Sequence, residues 1–194
     1  MGLVALSRDE RELLPRYAAG ERAAFEELVL RFRTPVYGYI VRCGVPSAQA
    51  DDLFQDVFFS VHRAAASYRP TQPLKPWLFT ITANAVRSHF RKRSVLARVF
   101  SPAEVEPVAD GPSLQIASEG AELAGFLDEH IKALPLKQRE VVLLCCVEQL
   151  SLEETAAALA MPVETVKTNL KRGRATLQKA LDRRELREQT EAAR

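Results

Sequence analysis

The sequence predicts an all-α protein in which a flexible acidic linker joins two small helical domains. Apolar residues recur at helical spacing along most of the chain, β-branched runs are few, and no segment alternates as a half-buried strand would. The chain has 194 residues, 47% of them hydrophobic. That content is enough for two domains of roughly a hundred residues or fewer.

The first half of the chain predicts a series of helices. The periodic segment Glu21–Val41 is interrupted at Pro35, which indicates two helices joined by a tight break or kink. A helix is expected over Ser47–Ser67, with Ser47 as its cap. The loop 67–76 contains three prolines and resists regular structure. A further helix is expected over Trp77–Arg93, where Trp77 leads an apolar stripe and is expected to pack in the core rather than to stack on a base.

Charge is segregated along the chain, although the formal net charge is only +2. Val57–Ala103 contains no Asp or Glu but eight Lys and Arg residues, whereas Val99–Ile131 contains no Lys or Arg but seven acidic residues. The chain is basic again from Lys167 onward. Segment 94–120 also lacks amphipathic periodicity and contains prolines, which is typical of a linker. Two cationic surfaces separated by an acidic connector indicate two contacts with nucleic acid.

The second half predicts four helices, of which the last two form a helix-turn-helix. Helices are expected over Ala121–Ala133 and Leu136–Glu148. Ser151 and Glu154 then have the spacing of a capping box, so a third helix begins there. It ends before Pro162, because a residue that precedes proline is disfavoured in a helix.

The fourth helix has one apolar stripe and one cationic face. Its buried stripe is predicted to consist of Val163, Val166, Leu170, Gly173 and Leu177. The polar residues off that stripe are Glu164, Lys167, Thr168, Lys171 and Arg174. This geometry lets a helix enter the major groove of DNA. The tail 182–194 is expected either to extend the helix or to fray.

Composition excludes several other classes of protein. No apolar run approaches the roughly twenty residues that cross a bilayer, and the N-terminus lacks the layout of a signal peptide, so a cytoplasmic location is expected. Cys43, Cys145 and Cys146 have no CxxC spacing, so neither a disulfide framework nor a zinc site is indicated. Core packing is favoured over redox sensing for the adjacent pair. We expect no metal, no cofactor, no small-molecule substrate and no catalytic residue.

Four sequence blocks together resemble a known family. In the N-terminal domain they are AFEELVLRF, DDLFQDVFFSVHR and PWLFTITANAVRSHFRKR; in the C-terminal domain the block is LPLKQREVVLLCCVEQLSLEETAAALAMPVETVKTNLKRGRATLQKAL. They are similar to regions two and four of bacterial sigma factors of the extracytoplasmic-function (ECF) subfamily of the sigma-70 family. The resemblance implies the following organisation: an N-terminal segment 1–20, region two over 21–93, the linker 94–120, region four over 121–181 and the tail 182–194.

The resemblance implies a sigma factor that binds core RNA polymerase and directs promoter-specific initiation, and that is not an enzyme. Its partners would be the clamp helices and flap of core polymerase, promoter DNA both as duplex and melted, and an anti-sigma factor in many relatives. The implied polymerase-binding residues are Asp52, Gln55, Asp56 and Phe59. An acidic stripe with an aromatic residue at its edge suits a basic partner, although such a stripe is also found on ordinary solvated helices.

The resemblance also implies two DNA-binding sets. The residues matching the −10 recognition helix are Asn84, Arg87, Ser88, Arg91, Lys92 and Arg93. Those matching the −35 recognition helix, within the helix-turn-helix 151–174, are Glu164, Thr165, Lys167, Thr168, Lys171, Arg172 and Arg174. Relatives usually carry Asp at Ser88, Gly at Glu164 and Ala at Gly173, so base preference is expected to differ here.

Two other functions are compatible with parts of the sequence. An autonomous helix-turn-helix regulator would need a sensor or dimerisation domain in the first hundred residues. A nucleic-acid enzyme would need a metal-binding acidic cluster, for which Asp51, Asp52 and Asp56 are the nearest candidates. Both rank below the sigma factor, because the region before residue 100 is aromatic and basic and Asp51 points away from the other two carboxylates on a helix.

Overall fold

The structure is a computed structural model that describes residues 9–100 and 119–192. The described residues form helices and turns, and the all-α prediction is confirmed. The predicted linker 94–120 lies for the most part outside the described residues, as do residues 1–8 and 193–194. The α-helices in the described part are α1 Leu13–Ala18, α2 Arg22–Arg42, α3 Ser47–Ala64, α4 Leu74–Phe100, α5 Glu119–Ala133, α6 Leu136–Val142, α7 Leu152–Leu159 and α8 Val163–Ala192.

Helices α1 to α4 form the N-terminal bundle. One side of α3 faces inward: Leu53, Val57, Phe58 and Val61 are buried. Helix α1 was not predicted; its Leu13 and Leu14 are fully buried, and the helix packs on α2. Six residues are too few to show helical periodicity in the sequence, so burial by the neighbouring helix determines this element.

The prediction of a break at Pro35 is wrong, because α2 continues through it without interruption. Proline removes one backbone hydrogen bond from a helix, at a cost of about 3 kcal/mol. Residues on both sides of Pro35, including Phe32, Val36 and Ile40, are buried in the same core. Their burial offsets the missing bond, so the helix remains one element across the proline.

Two helix starts also differ from the prediction. Pro46, not Ser47, is the N-cap of α3, and no side chain caps that helix. Helix α4 begins at Leu74 rather than Trp77, with Pro76 in its first turn. A first-turn N–H has no partner within the helix, so proline is tolerated there. Helix α4 also extends beyond Arg93 to Phe100, into the segment predicted as linker.

Helices α5 to α8 form the C-terminal bundle, which contains the predicted helix-turn-helix. The capping box is present: the Ser151 hydroxyl accepts from the Glu154 N–H at 3.1 Å, and the Glu154 carboxylate accepts from the Ser151 N–H at 2.8 Å. Helix α7 ends with Ala160 in the left-handed region, φ 49°. The Ala160 N–H donates to Ala157 and the Met161 N–H to Ala156, which is the pattern of a Schellman motif. This backbone motif, together with Pro162, makes the turn.

Helix α8 turns the predicted stripe inward, with Val166 and Gly173 buried and Val163, Leu170 and Leu177 half-buried. The helix extends to Ala192, so the tail continues it as far as the structure describes it. A Cβ added to Gly173 would lie 2.6 Å from Val142 Cγ2 on α6. Glycine therefore lets α8 approach α6 more closely than any other residue would. That contact sets which face of α8 points outward.

The two bundles lie against each other, which the sequence did not predict. Helix α4 packs on α7, and α2 contacts α5. The buried residues form one continuous core cluster that reaches from Leu13 to Val166. The N-terminal and C-terminal bundles are therefore in a closed arrangement.

We expect Gly173→Ala to lower the free energy of unfolding by about 1 kcal/mol in urea denaturation. Alanine gains roughly 1 kcal/mol of helix propensity, but overpacking against Val142 costs about 1–3 kcal/mol. The matched control is Gly38→Ala in α2, where the added Cβ would meet only the end of the Arg42 side chain, at 3.0 Å. That guanidinium is paired with Asp128, but both side chains are partly exposed, so it can shift at little cost. That variant is expected to gain roughly 0.5–1 kcal/mol. Equal stabilisation of both variants would contradict the close α6–α8 contact.

Candidate nucleic-acid and polymerase interfaces

The predicted polymerase-binding stripe on α3 is exposed along its whole length. Asp52, Gln55, Asp56 and Phe59 all face solvent, and Phe59 is 62% exposed. The opposite side of α3 is fixed in the N-terminal core, which aims these four side chains outward together. A large aromatic side chain left exposed next to two carboxylates is a feature of surfaces that bind another protein.

The predicted −10 residues of α4 have different environments. Asn84, Arg91, Lys92 and Arg93 are exposed, and Ser88 is half-buried. Arg91, Lys92 and Arg93 are consecutive and therefore spread their charges around the helix. This end of α4 presents a cationic surface to solvent.

Arg87 is not free, because it is bound by the C-terminal bundle. Its Nε donates to Glu140 Oε1 at 2.9 Å, and its Nη2 donates to Glu140 Oε2 at 3.0 Å. Its Nη1 donates to the backbone carbonyl of Leu159 at 2.6 Å. The Glu140 side chain is only 1% exposed. Burial raises the pKa of Glu140, and the hydrogen bond and charge of Arg87 act in the opposite direction.

The loop before α4 is held by aromatic contacts. The Tyr68 hydroxyl donates to the Gln72 carbonyl at 2.7 Å, which closes the loop on itself. The Trp77 ring packs edge-on against Tyr68, with 5.2 Å between centroids, and lies partly buried against the core. Trp77 thus packs as the sequence analysis favoured.

The predicted −35 residues of α8 form a continuous outward face. Glu164, Lys167, Thr168, Lys171, Arg172 and Arg174 are exposed, and Thr165 is half-buried. Lys167 Nζ donates to Glu164 Oε1 at 2.6 Å, and this hydrogen bond raises the pKa of Lys167. Three cations, Lys167, Lys171 and Arg174, line a shallow pocket of about 320 Å³ with Leu152 and Leu170. The face therefore combines cations with a small apolar depression.

Of the adjacent pair of cysteines expected to pack in the core, Cys145 packs against it and Cys146 does not. Cys43 is buried and Cys145 is half-buried beside Thr155, with 3.3 Å between Sγ and Oγ1. Burial raises the pKa of both thiols. Cys146 is exposed, so the core prediction is wrong for this residue. Helix α6 runs into a π-helical turn, Leu143–Val147, from which the Cys146 Sγ accepts a hydrogen bond from Arg174 at 3.5 Å.

The residues that join the two bundles were not predicted from the sequence. These are Glu140 with Arg87, Glu148 with Lys75, Asp128 with Arg42, and Arg139, which donates to the carbonyl of Cys43. Glu140 lies on the same helical face as Leu136 and Leu144, both four residues away, and a carboxylate on an apolar face indicates a buried partner. This placement of Glu140 is the sequence feature that could have indicated a contact between the bundles.

Within residues 9–100 and 119–192 no helix is long and apolar enough to cross a membrane. The same residues contain no group of three or more His, Cys, Asp or Glu side chains placed to hold a metal ion.

Comparison with known proteins gives two family matches in the order predicted. Residues 28–95 match the family model described as Sigma-70 region 2, and residues 127–177 match that of Sigma-70, region 4. The chain is 32% identical over 175 residues to the ECF RNA polymerase sigma factor SigM of Mycobacterium tuberculosis, covering 90% of this chain and 85% of that protein.

Two solved structures are similar over most of the chain. One is CnrH in complex with the cytosolic domain of CnrY, with a TM-score of 0.65 and 28% identity, covering 90% of this chain and 97% of that one. The other is the sigma factor RpoE in complex with the anti-sigma factor NepR from Bartonella quintana, with a TM-score of 0.70 and 25% identity, covering 81% and 96%.

The capping box at the start of the helix-turn-helix is testable by substitution. We expect Ser151→Ala to lower the free energy of unfolding by about 1 kcal/mol, because the Glu154 N–H loses its acceptor. Thr176→Ala is the control: this exposed hydroxyl only bonds the carbonyl of Arg172 within its own helix. Its effect should stay within about 0.5 kcal/mol. Equal losses in the two variants would show that the box contributes nothing specific.

Proposed function

The chain belongs to the sigma-70 family as an ECF RNA polymerase sigma factor, a non-enzymatic subunit that directs transcription initiation, and on this premise we propose how its surfaces divide that task. The proposal assigns core polymerase to α3, the −10 element to α4 and the −35 element to α8. Membership of this family also displaces the alternative of an autonomous helix-turn-helix regulator.

The exposed stripe of α3 is proposed to bind the clamp helices of core polymerase. Asp52 and Asp56 supply negative charge for a basic partner, Gln55 supplies hydrogen bonds, and Phe59 supplies apolar area. Aromatic residues are enriched in protein interfaces, and a few well-packed residues contribute most of the binding energy. Phe59 is already 62% exposed, so binding can bury it without any rearrangement of the N-terminal core.

The exposed face of α4 is proposed to bind the −10 element in its melted form. A separated strand needs a base-recognising side chain and cations that follow its phosphates. Asn84 offers an amide for a base edge, while Arg91, Lys92 and Arg93 offer charge. Ser88 is half-buried beside them and can supply a hydroxyl. Arg87 would join this set once it is free of Glu140.

Helix α8 is proposed to lie in the major groove of the −35 duplex. Lys167 and Lys171 can donate to guanine, Glu164 can accept from cytosine, and Thr165 and Thr168 can contact either kind of base edge. Arg172 and Arg174 are better suited to phosphates. The Lys167–Glu164 ion pair is exposed, so exchanging it for base contacts costs little.

We also propose the domain boundaries 21–93 and 121–181, a cytoplasmic location with RNA polymerase, and contact of the C-terminal bundle with the polymerase flap. An anti-sigma factor is proposed as a regulator, since both similar structures are complexes, CnrH with CnrY and RpoE with NepR.

The observation that carries the proposal is the simultaneous exposure of the α3 stripe and the two cationic helix faces. The direct test is transcription in vitro with core polymerase and a genomic template library. Absence of specific start sites would overturn the proposal.

Charge reversal of Asp52 and Asp56 to Lys should abolish co-purification with core polymerase. Both side chains are exposed, so the helical signal in circular dichroism should be unchanged. The control is Glu185→Lys with Glu191→Lys, which makes the same change in net charge at exposed positions of α8. Retained binding by the α3 variant, or equal loss in the control, would refute the assignment of α3.

Lys171→Ala should weaken binding to the −35 duplex by about 1–3 kcal/mol if the side chain contacts a base. Fluorescence anisotropy with a set of single-base promoter variants measures the effect. The loss should be concentrated at one base pair, whereas Arg183→Ala, an exposed control further along α8, should cause a small and uniform loss. A uniform loss for Lys171→Ala as well would reassign this residue to phosphate.

A further inference from the structure

The contact between the two bundles is built from specific polar groups. Arg139 on α6 donates to the carbonyl of Cys43 at 2.5 Å, and the next residue, Glu140, accepts from Arg87. Gly44 has φ +90°, and a Cβ there would lie 2.6 Å from Arg139 Nη1. The loop after α2 therefore admits Arg139 only because it has glycine at this position. Two consecutive residues of α6 thus bind two different elements of the N-terminal bundle.

The guanidinium of Arg87 joins the two DNA-binding elements directly. It belongs to α4, and its Nη1 donates to the carbonyl of Leu159, the last residue of α7 before the turn of the helix-turn-helix. Its other two bonds occupy both oxygens of the Glu140 carboxylate. A carboxylate and a phosphate bind the same fork of an arginine. Glu140 therefore holds Arg87 in the way that a DNA phosphate would.

This arrangement cannot contact both promoter elements at once. The −10 and −35 elements are about 25 base pairs apart, which is roughly 85 Å of B-form duplex at 3.4 Å per base pair. In the closed chain the two DNA-binding elements are joined by a hydrogen bond of 2.6 Å. Initiation at such a promoter requires the bundles to separate, and separation requires Arg87 to leave Glu140.

We propose that the Arg87–Glu140 ion pair is an autoinhibitory contact that keeps the free chain closed and withholds Arg87 from DNA. The inference rests on the proposed DNA-binding role of α4. The other two inter-bundle ion pairs differ in burial. The Glu148 side chain, bound to Lys75, is 7% exposed, whereas the Asp128 side chain, bound to Arg42, is 39% exposed. Asp128 thus provides a control in the same interface.

Small-angle scattering on the full chain, without polymerase or DNA, tests closure itself. A compact chain of this length has a radius of gyration of about 16 Å. Arg87→Gln leaves the buried Glu140 carboxylate without its counter-charge, and Glu140→Gln does the same to the half-buried Arg87, so each should expand the chain. The double variant restores a neutral hydrogen-bonding pair and should be more compact than either single variant. Asp128→Asn should behave as the unaltered chain does.

Binding of a single-stranded −10 oligonucleotide tests inhibition. If about a tenth of the unaltered chains are open and competent to bind the oligonucleotide, Glu140→Gln should bind it about tenfold more tightly than the unaltered chain does. Unchanged scattering in both single variants would overturn the inference and leave the proposed function to be judged by transcription with core polymerase. Expansion without tighter binding would overturn the inhibitory role and would also remove Arg87 from the −10 set. Circular dichroism identifies a variant that fails to fold. The other single variant then decides closure by scattering, and Glu140→Ala replaces Glu140→Gln in the binding measurement, because Arg87→Gln removes a proposed DNA contact.

Discussion

The bidentate bond between Arg87 and Glu140 constrains both halves of the molecule, because a carboxylate that is 1% exposed cannot exchange these hydrogen bonds for bonds to water. A displacement of a few ångströms would break both bonds before water could reach the Glu140 carboxylate, and an unpaired buried charge costs several kcal/mol. Partial separation of the bundles is therefore less favourable than either full contact or full exposure to solvent. This makes the closed and open forms discrete states rather than a continuous range.

The same contact explains why α4 has two kinds of surface. Asn84 and the cations beyond residue 90 are in solvent, whereas Arg87 lies between them and is bound by the C-terminal bundle. In helix α8, by contrast, the recognition face is already exposed in the closed chain. Gly173 lets α6 approach one side of it so closely that the apolar stripe is covered and the cationic face stays outside. One recognition surface is thus complete in the closed chain, and the other lacks a residue.

The features that the sequence predicted correctly are those recorded in local spacing. The outward stripe of α3, the capping box of Ser151 with Glu154 and the buried stripe of α8 each depend on residues three or four positions apart. Continuity of α2 through Pro35 depends on the core that surrounds it, so the local signal for a break was misleading. Arg87 and Glu140 are 53 positions apart, and neither has a neighbour in sequence that indicates the other. The closed arrangement therefore could not be inferred.

Chain length determines whether opening can serve both promoter elements. Eighteen residues, 101–118, separate α4 from α5, and they span at most roughly 65 Å in any conformation. From Asn84 to the end of α4 the helix adds about 24 Å. Together, the linker and this part of α4 can span roughly the 85 Å that separates the −10 and −35 promoter elements. The connection is therefore long enough for both bundles to reach the promoter at once, with little length to spare. The connecting residues carry three carboxylates and no cation, and DNA phosphates repel them. The segment therefore does not compete with α4 and α8 for the promoter. Its length lets it connect the two bundles, and its negative charge keeps it from binding the DNA between them.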